Sequence, residues 1–323
     1  MLCKELVGCE DGTIVDTTFC LSKKIGFRSD NRGGYMFIGE LSDKTGFINF
    51  VYWGGTEQDQ VKKIFDSLRV NSIINLRGTL GTHNKRRQIS INSRVVDNYI
   101  QVAEEANIDV SKFVPETNQD IDEMWSYLDK VITSVENPYL KEIFKKFCED
   151  REFMGLFQTL PGARLYHHAC KGGLLEHVWE TMQYCEIVTQ VHPSLDRDLV
   201  IAGAFLHDIG KIRENKMHMN ISETREGMLL GHIFLGANMI KEKITKIKGF
   251  PKTLENKLLH IILSHHGTVE TGAVVEPMTA EAAAVSTADT MGSLVTQYIR
   301  ARKDSATGDF KTYIRPIGRV FVE

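Results

Sequence analysis

The second half of the chain contains histidines and aspartates in a pattern that favours a metal centre. His207 and Asp208 are adjacent in the run LHDIGK, and the other candidates lie on either side of this run. Imidazoles and carboxylates without a thiolate suit divalent Mn, Fe, Zn or Mg ions. The candidate metal ligands are His177, His207, Asp208, His232, His265, His266 and Asp289. A set of this size around a shared carboxylate indicates two ions.

Two divalent ions suit the hydrolysis of a phosphodiester. Ions held about 3.5–4 Å apart share a hydroxide nucleophile and polarise a phosphoryl oxygen. An HD dipeptide alone is weak support, because a buried histidine on an apolar helix is usually a hydrogen-bonded core residue. The segments that carry the other candidates therefore decide between a metal centre and an ordinary core.

Five predicted helices each carry a candidate ligand on an otherwise apolar face. An uncompensated carboxylate on such a face would be costly, which favours a metal cage over a core. Gly267 follows the paired histidines and is the predicted helix stop. The five segments are LLEHVWETM, LVIAGAFLHD, GMLLGHIFLGANMIKEK, TLENKLLHIILSHH and AEAAAVSTADTMGSL.

The order of these residues resembles a known superfamily. The succession H, HD, K, H, HH, D is similar to that of the HD-domain phosphohydrolases. More narrowly, LPGARLYHHACKGGLLEHVWETM, LHDIGKI, GMLLGHIFLG and SHHGTVETGAVVEPMTAEAAAVSTADTM resemble the YhaM-type 3′-to-5′ exoribonucleases. Those enzymes pair this domain with an N-terminal OB-fold. The resemblance covers nearly all of the chain.

The resemblance implies how the ligands divide between two ions. One ion would be held by His177, His207, Asp208 and Asp289. The other would be held by Asp208, His232, His265 and His266. Asp208 would bridge the two ions and act in catalysis.

The resemblance also implies residues that contact substrate. Lys211 would bind the scissile phosphate as a point charge, and its alternative is a solvated lysine at a helix end. For the others the alternatives are hydrogen-bonded histidines and surface cations. These candidate substrate-binding residues are His167, His168, Lys171, Arg315 and Arg319.

Composition indicates a cytoplasmic enzyme of two domains. The chain has 323 residues, and its six cysteines show no CxxC or disulfide-framework spacing. No early segment has a secretory apolar region, and no apolar run reaches the roughly 18–20 residues needed to cross a bilayer. We therefore expect no membrane partner. The sequence leaves open whether the protein is a homo-oligomer.

The first hundred residues alternate like strands and predict an OB-fold. The runs are GTIVDTTFCLSKKI, YMFIGELSD, TGFINFVYW, SIINLRGTL and RRQISINSRVV, with a short helix near residues 56–67. OB-folds bind single strands by stacking bases on aromatic rings along a basic groove. Alternation alone cannot say which rings face outward. The candidate nucleic-acid contacts are Tyr35, Phe37, Phe47, Trp53, Arg86 and Arg87.

Net charge neither requires nor excludes a nucleic acid. The formal net charge is −3, but the run NKRR concentrates positive charge in the N-terminal region. A local basic groove is compatible with a mildly acidic total, and solvated loop charges are the alternative.

The predicted fold class is multidomain. An all-β OB-fold barrel at residues 1–103 is followed by a linker at 104–119, and then by an all-α HD-domain helical bundle at 120–323. The linker is polar, acidic and interrupted by Pro115. Two helices, Asp120–Val135 and Tyr139–Cys148, are predicted to brace the HD domain.

These patterns lead to the hypothesis of an exonuclease with a dinuclear metal centre. It would release nucleoside 5′-monophosphates from the 3′ end of single-stranded RNA, and also of single-stranded DNA, with Mn²⁺ favoured over Fe, Mg or Zn. Direction and product follow from the resemblance. One alternative is an HD-domain phosphodiesterase that acts on small or cyclic nucleotides, although HHGTVETGAVVEP lacks the GYP motif of such proteins. Another is a non-catalytic, nucleic-acid-binding nucleotide sensor, against which the complete ligand set argues.

Overall fold

A computed structural model describes most of the chain as two compact units. The described residues are 1–30, 33–84, 86–103, 112–163, 168–217, 221–304, 311–314 and 317–322. The first unit contains Met1–Pro115 and also Met217, and the second contains Glu116–Lys216 and Ile221–Glu323. The predicted linker at 104–119 stays a prediction, since residues 104–111 lie outside the described part.

The first unit is a six-stranded sheet with two short helices. Its elements in chain order are α1 (Cys3–Val7), β1 (Ile14–Ser29), β2 (Tyr35–Asp43), β3 (Gly46–Gly55), α2 (Gln58–Ser67), β4 (Ile73–His83), β5 (Arg86–Asn92) and β6 (Tyr99–Val102). Strand β3 pairs with β5 in parallel, and the other pairings are antiparallel. The predicted OB-fold is confirmed, with its helix between the third and fourth strands. Strand β6 and helix α1 were not predicted.

The long first strand closes the circle of pairings. Its first half, Ile14–Cys20, pairs with β4, and its second half pairs with β2. Register shifts between Leu21 and Lys23, and between Lys24 and Gly26, interrupt the second half, and such irregularities bend a strand. The pairings therefore run β1–β2–β3–β5–β4–β1. Their inner side chains form one apolar core.

The second unit is helical. Its helices are α3 (Ile121–Thr133), α4 (Pro138–Cys148), α5 (Arg151–Thr159), α6 (Gly173–Val191), α7 (Arg197–Leu206), α8 (Lys211–Glu214), α9 (Arg225–Ile244), α10 (Lys252–Ser264) and α11 (Ala280–Asp304). The described residues also include two strand pairs. One is β7 (Asn215–Met217) with β8 (Ile221–Glu223), and the other is β9 (Lys311–Ile314) with β10 (Gly318–Phe321). The predicted all-α HD-domain fold is confirmed; α5 and the strand pairs are additions.

Several of these helices begin at a residue whose side chain accepts a backbone N–H. Asp120, Asn137, Asp150, Asp196 and Thr224 cap α3, α4, α5, α7 and α9 in this way. Such caps satisfy amides that the helix itself leaves unpaired. They explain why the helices start where the sequence places Asp, Asn or Thr.

Helix α7 lies in the centre of the helical unit. Every residue from Leu199 to Gly210 is buried, so the His207–Asp208 pair at its end lies inside the protein. At Gly203 an added Cβ would lie 2.7 Å from Cγ2 of Ile261, so α7 and α10 approach closely there. Among the described residues, no helix combines the length and apolar character that a bilayer crossing requires.

Candidate metal centre

Five helical segments bring the predicted ligands together. His177 lies on α6, His207 and Asp208 follow α7, and His232 lies on α9. The paired histidines follow α10, and Asp289 lies on α11. His207 and His265 are 0% exposed, Asp208 is 1% exposed and His177 is 2% exposed. These four ligands therefore lie in the interior, while His232, His266 and Asp289 are partly exposed.

One group of four residues surrounds the Nε2 atom of His177, and we call it the first ligand set. This atom lies 2.9 Å from Nε2 of His207. It also lies 3.1 Å from Oδ2 of Asp208 and 3.2 Å from Oδ1 of Asp289. The family resemblance implied these four residues as the ligands of one ion, and that assignment stays a prediction.

The other oxygen of Asp208 faces the second ligand set, which consists of Asp208, His232, His265 and His266. Oδ1 of Asp208 lies 3.5 Å from Nε2 of His232 and 3.5 Å from Nε2 of His265. The Nε2 atoms of His232 and His266 are 3.3 Å apart. Each oxygen of the Asp208 carboxylate thus faces a different set, as a bridging ligand would.

Hydrogen bonds on the far side of two ligand rings, those of His207 and His265, fix which nitrogen is available. Nδ1 of His207 lies 2.9 Å from the carbonyl of Ala204, and Nδ1 of His265 lies 2.7 Å from that of Ile262. A carbonyl only accepts, so each Nδ1 carries the proton and donates it. Nε2 of the neutral ring is then a lone pair directed into the site, as metal binding requires.

The donor atoms fit divalent ions. Two ligand atoms about 2.0–2.2 Å from one ion, at tetrahedral or octahedral angles, lie about 2.8–3.6 Å apart. The separations within both sets fall in this range, from 2.9 to 3.5 Å. Oδ1 of Asp208 and Nε2 of His265 are buried and have no hydrogen-bond partner among the described residues. A cation between them would remove the cost of burying unpaired polar atoms.

The electrostatics of the site also favour a cation. Burial lowers the pKa of His207 to about 3, so this ring is neutral. Burial would raise the pKa of Asp208, but Lys211 and the adjacent histidines hold it well below its usual range. Burial opposes a charge on His177, yet hydrogen bonds to Asp208 and Asp289 raise its pKa to about 9. Positive charge is therefore stabilised where the two carboxylates converge.

Lys211 lies directly beside the bridging carboxylate. Its Nζ is 2.5 Å from Oδ2 of Asp208, and its side chain is 12% exposed. The lysine begins α8, three residues after Asp208, so one turn of backbone positions it. Its ammonium group is thus at the edge of the site, where it can also meet an anionic ligand.

Two glycines allow α9 to approach the HD turn. A Cβ at Gly210 would lie 1.9 Å from the carbonyl oxygen of His232, so only glycine fits there. Gly231 has φ +70°, which interrupts α9 directly before His232. This interruption turns His232 toward Asp208.

Glu214 contacts a ligand and was missed in the sequence. Its Oε1 accepts hydrogen bonds from the backbone N–H of His232 at 2.9 Å and from its Nδ1 at 3.0 Å. Burial acts to raise the pKa of Glu214, but the bonds from His232 lower it overall. An acid at the end of a four-residue helix is typical of a surface position. The one sequence feature that could have indicated Glu214 is its position, six residues after the candidate ligand Asp208.

His168 lies beside the first ligand set and contacts two glutamates of α6. Its Nδ1 is 3.4 Å from Oε2 of Glu176, and its Nε2 is 3.1 Å from Oε2 of Glu180. Its ring centroid is 5.4 Å from that of His177. Because its two nitrogens face different carboxylates, His168 has the geometry of a bridge between glutamates. The predicted substrate contact of His168 stays a prediction, and His167 lies outside the described residues.

Two of the remaining cations predicted to bind substrate, Lys171 and Arg319, lie on the surface. Nζ of Lys171 is 2.9 Å from Oε1 of Glu116, and both side chains are exposed. Arg319 is exposed on β10. Arg315 lies outside the described part of the chain. The roles of these cations stay predictions.

The aromatic candidates of the first unit divide between surface and core. Phe47 is 62% exposed and Trp53 is 37% exposed, and Nε1 of Trp53 donates to Oγ of Ser90 at 3.1 Å. Tyr35 is half-buried and stacks on Phe27. Phe37 is 1% exposed and stacks on the buried Tyr52, with ring centroids 4.8 Å apart. The prediction that Phe37 stacks on a base is therefore wrong, because its ring belongs to the core.

The two candidate arginines also differ. Arg86 is exposed at the start of β5. The Arg87 guanidinium bonds to the carboxylate of Asp11 and to the carbonyl of Cys9. A shallow cavity of about 430 Å³ is lined by Asn49, His83, Asn84, Arg86, Arg87 and Gln88. This cavity presents amides and cations at the β4–β5 hairpin.

The fold and the ligand sets define a protein with an OB-fold domain followed by an HD domain. The HD domain family matches residues 174–292, and the OB-fold nucleic acid binding domain family matches residues 17–96.

The chain is similar over most of its length to proteins named 3′-5′ exoribonuclease YhaM. It is 28% identical to the one from Bacillus subtilis over 272 residues, which covers 84% of this chain and 82% of the relative. It is 28% identical to the one from Geobacillus sp. over 312 residues, which covers 96% of this chain and 91% of the relative. These matches confirm the resemblance found in the sequence.

A solved structure, the HD domain of the L. monocytogenes phosphodiesterase PgpH, is also similar in part. It is 20% identical, covers 54% of this chain and 78% of that chain, and has a TM-score of 0.27. A likeness this low supports no conclusion about function.

Proposed function

We propose that this chain is a metal-dependent 3′-to-5′ exoribonuclease with a dinuclear centre. It would remove nucleoside 5′-monophosphates from single-stranded RNA, and also from single-stranded DNA, with Mn²⁺ as the preferred ion. The observation that carries the proposal is the Asp208 carboxylate, whose two oxygens face two separate sets of nitrogen and oxygen ligands. The YhaM relatives support the direction of digestion and the RNA substrate.

The chain's own groups would organise the reaction. Divalent ions at such a site supply Lewis acidity and lower the pKa of water to near neutrality. The first ligand set and the second would hold them, with Asp208 in common. Lys211 would turn from Asp208 to the scissile phosphate and neutralise charge there as a point cation. The buried position of the ligands would keep bulk water from the bridging carboxylate.

The OB-fold would capture the strand before cleavage. Phe47 and Trp53 are exposed and six residues apart on β3, so their Cα atoms are about 20 Å apart along the strand. Trp53 is held by Ser90 of the neighbouring strand β5. Exposed rings beside polar and cationic groups suit stacked bases with phosphates alongside. Arg86 supplies positive charge on the same strand as Ser90.

The direct test is digestion of end-labelled oligonucleotides with Mn²⁺. A single-stranded RNA with a 5′ label should give a ladder of shortening fragments, while a 3′ label should appear at once as mononucleotide. Circular RNA should survive because it has no 3′ end. Duplex should resist, since opening each pair costs on the order of 1–2 kcal/mol of stacking.

Other outcomes would assign a different activity. Rapid cutting of circular RNA would show an endonuclease. Turnover of a cyclic dinucleotide without action on linear strands would favour the small-nucleotide phosphodiesterase. Tight nucleotide binding with no turnover of any substrate would favour the sensor.

The cytoplasmic location is also proposed. It is supported by the spacing of the six cysteines, which shows no CxxC or disulfide framework. Cell fractionation followed by immunoblotting tests it, and recovery in the membrane or secreted fraction would contradict it.

A further inference from the structure

Three of the candidate ligand histidines have a hydrogen bond at Nδ1: His207, His232 and His265. Two kinds of acceptor orient these rings. His207 and His265 each contact the carbonyl three residues earlier in their own helix, Ala204 and Ile262. These carbonyls belong to the last turns of α7 and α10, where a helix leaves its carbonyls without intrahelical partners. The backbone therefore orients these two rings.

His232 lies at the N-terminal end of a helical segment, whereas His207 and His265 lie at helix C-termini. Gly231 breaks α9 with φ +70°, so His232 begins the helical segment that follows. The first residues of a helix leave N–H groups unpaired and offer no free carbonyl. His232 therefore has two donors to satisfy, its backbone N–H and its ring Nδ1–H, and needs an acceptor from elsewhere.

Glu214 supplies that acceptor for both donors with one oxygen atom. Oε1 lies 2.9 Å from the backbone nitrogen and 3.0 Å from Nδ1 of His232. The side chains of Glu214 and His232 are 17% and 14% exposed, so solvent competes little for either bond.

The backbone of Glu214 is itself fixed to the start of α9. Its carbonyl accepts the N–H of Thr224 at 2.8 Å, and Oγ1 of Thr224 donates to the carbonyl of Arg213 at 2.7 Å. A Cβ at Gly227 would lie 2.5 Å from the Glu214 carbonyl oxygen, so the two segments touch. Glu214 is thus held in place independently of its bonds to His232.

We infer that Glu214 is a positioning residue that orients His232 and so sets the affinity of the second ligand set separately from the first. This inference rests on the proposed dinuclear function. Both hydrogen bonds of Glu214 Oε1 go to His232, which belongs to the second ligand set alone. Because His232 is oriented by one side chain, a single substitution should weaken one ion and leave the other in place.

The test is calorimetric titration of the metal-stripped full-length protein with Mn²⁺. Wild type should bind two ions. Glu214→Ala should weaken one of the two by about 10–100-fold, as the loss of such outer contacts does in other metal sites. Glu214→Gln should restore most of the affinity, because its amide oxygen can accept both bonds. Glu242→Ala is the matched control, since Glu242 is on α9 and bonds Asn238.

A second measurement, of the protonated ring nitrogen of His232, needs neither bound metal nor the Glu214→Ala variant. Nitrogen NMR of the metal-free wild type and of Glu214→Gln should show His232 with its proton on Nδ1, as for His207 and His265. Glu214→Ala, if folded, should show a mixture for His232 alone.

Several results would overturn the inference. These are equal affinities in wild type and Glu214→Ala, a parallel loss of both ions, a Gln variant as weak as Ala, or wild-type His232 with its proton on Nε2. Binding of a single ion by wild type would instead refute the dinuclear centre, while the NMR result would still test the role of Glu214.

Discussion

The ligand sets of the helical unit and the outer face of the OB sheet present functional side chains in opposite ways. His207, Asp208 and His265 are at most 1% exposed. Phe47 and Trp53, by contrast, are 62% and 37% exposed. In the first region polar groups are buried among apolar helices, and in the second aromatic groups are exposed to solvent.

The difference has an energetic consequence. A buried carboxylate or imidazole is tolerated only when its neighbours compensate it, so each member depends on the others. Exposed rings on a sheet act one at a time, and each contributes a modest share of binding. The effects of substitutions in the ligand sets should therefore be non-additive. The effects of substitutions of the exposed rings on RNA binding should be additive.

The largest effect is expected at the residue that the two ligand sets share. Asp208→Ala should lower the rate of RNA hydrolysis by about 10³-fold or more, because it removes one ligand from each proposed ion. Elemental analysis should show loss of bound metal, and oligonucleotide binding by the OB-fold should persist. Asp122→Ala, on the first turn of α3, is the control. Full activity of Asp208→Ala after rigorous metal removal would refute the dinuclear proposal.

The ligands stood out in the sequence because they violate the pattern of their helices. A histidine or aspartate on an apolar stripe is unusual, and the stripe itself predicts the helix. The segments around His177 and Asp289 form α6 and α11 as expected. The bonds to Glu214 and His168 could not be predicted in this way. They depend on how separate segments of the chain pack together, which periodicity in one segment does not describe.

The sequence predicted side-chain orientation less well for the sheet than for the helices. Alternation fixes that Phe47 and Trp53 share a face, but it does not say which face is outside. Phe37 alternates in phase with the buried Leu41, so its ring points into the core. The short strand β6 was missed because four residues carry too little pattern.

A smaller effect is expected from the exposed rings. Trp53→Ala and Phe47→Ala should each weaken binding of a long single-stranded RNA by about 1–3 kcal/mol, the usual contribution of one stacked base. Cleavage of a dinucleotide should not change, because the ligand sets are intact. Fluorescence anisotropy and a dinucleotide assay measure the two quantities.

Tyr99 on β6 is the aromatic control for this comparison. It is 36% exposed, donates to Asp16, and lies on β6, which pairs with β4. Tyr99→Ala should leave RNA affinity near that of wild type. If all three variants bind equally well, the assignment of the capturing face to β3 and β5 is incorrect.

The smallest effect should separate two neighbouring arginines on that sheet. The Arg87 guanidinium is bonded to Asp11 and to the carbonyl of Cys9, so Arg87→Ala should lower the melting temperature. Arg86 is exposed and free to meet a phosphate. Arg86→Ala should therefore leave the melting temperature unchanged and reduce the slope of log K against log salt by about 0.7, the value for one phosphate contact on a single strand. Titrations at several salt concentrations measure this slope. An unchanged slope for Arg86→Ala would show that Arg86 does not contact an RNA phosphate.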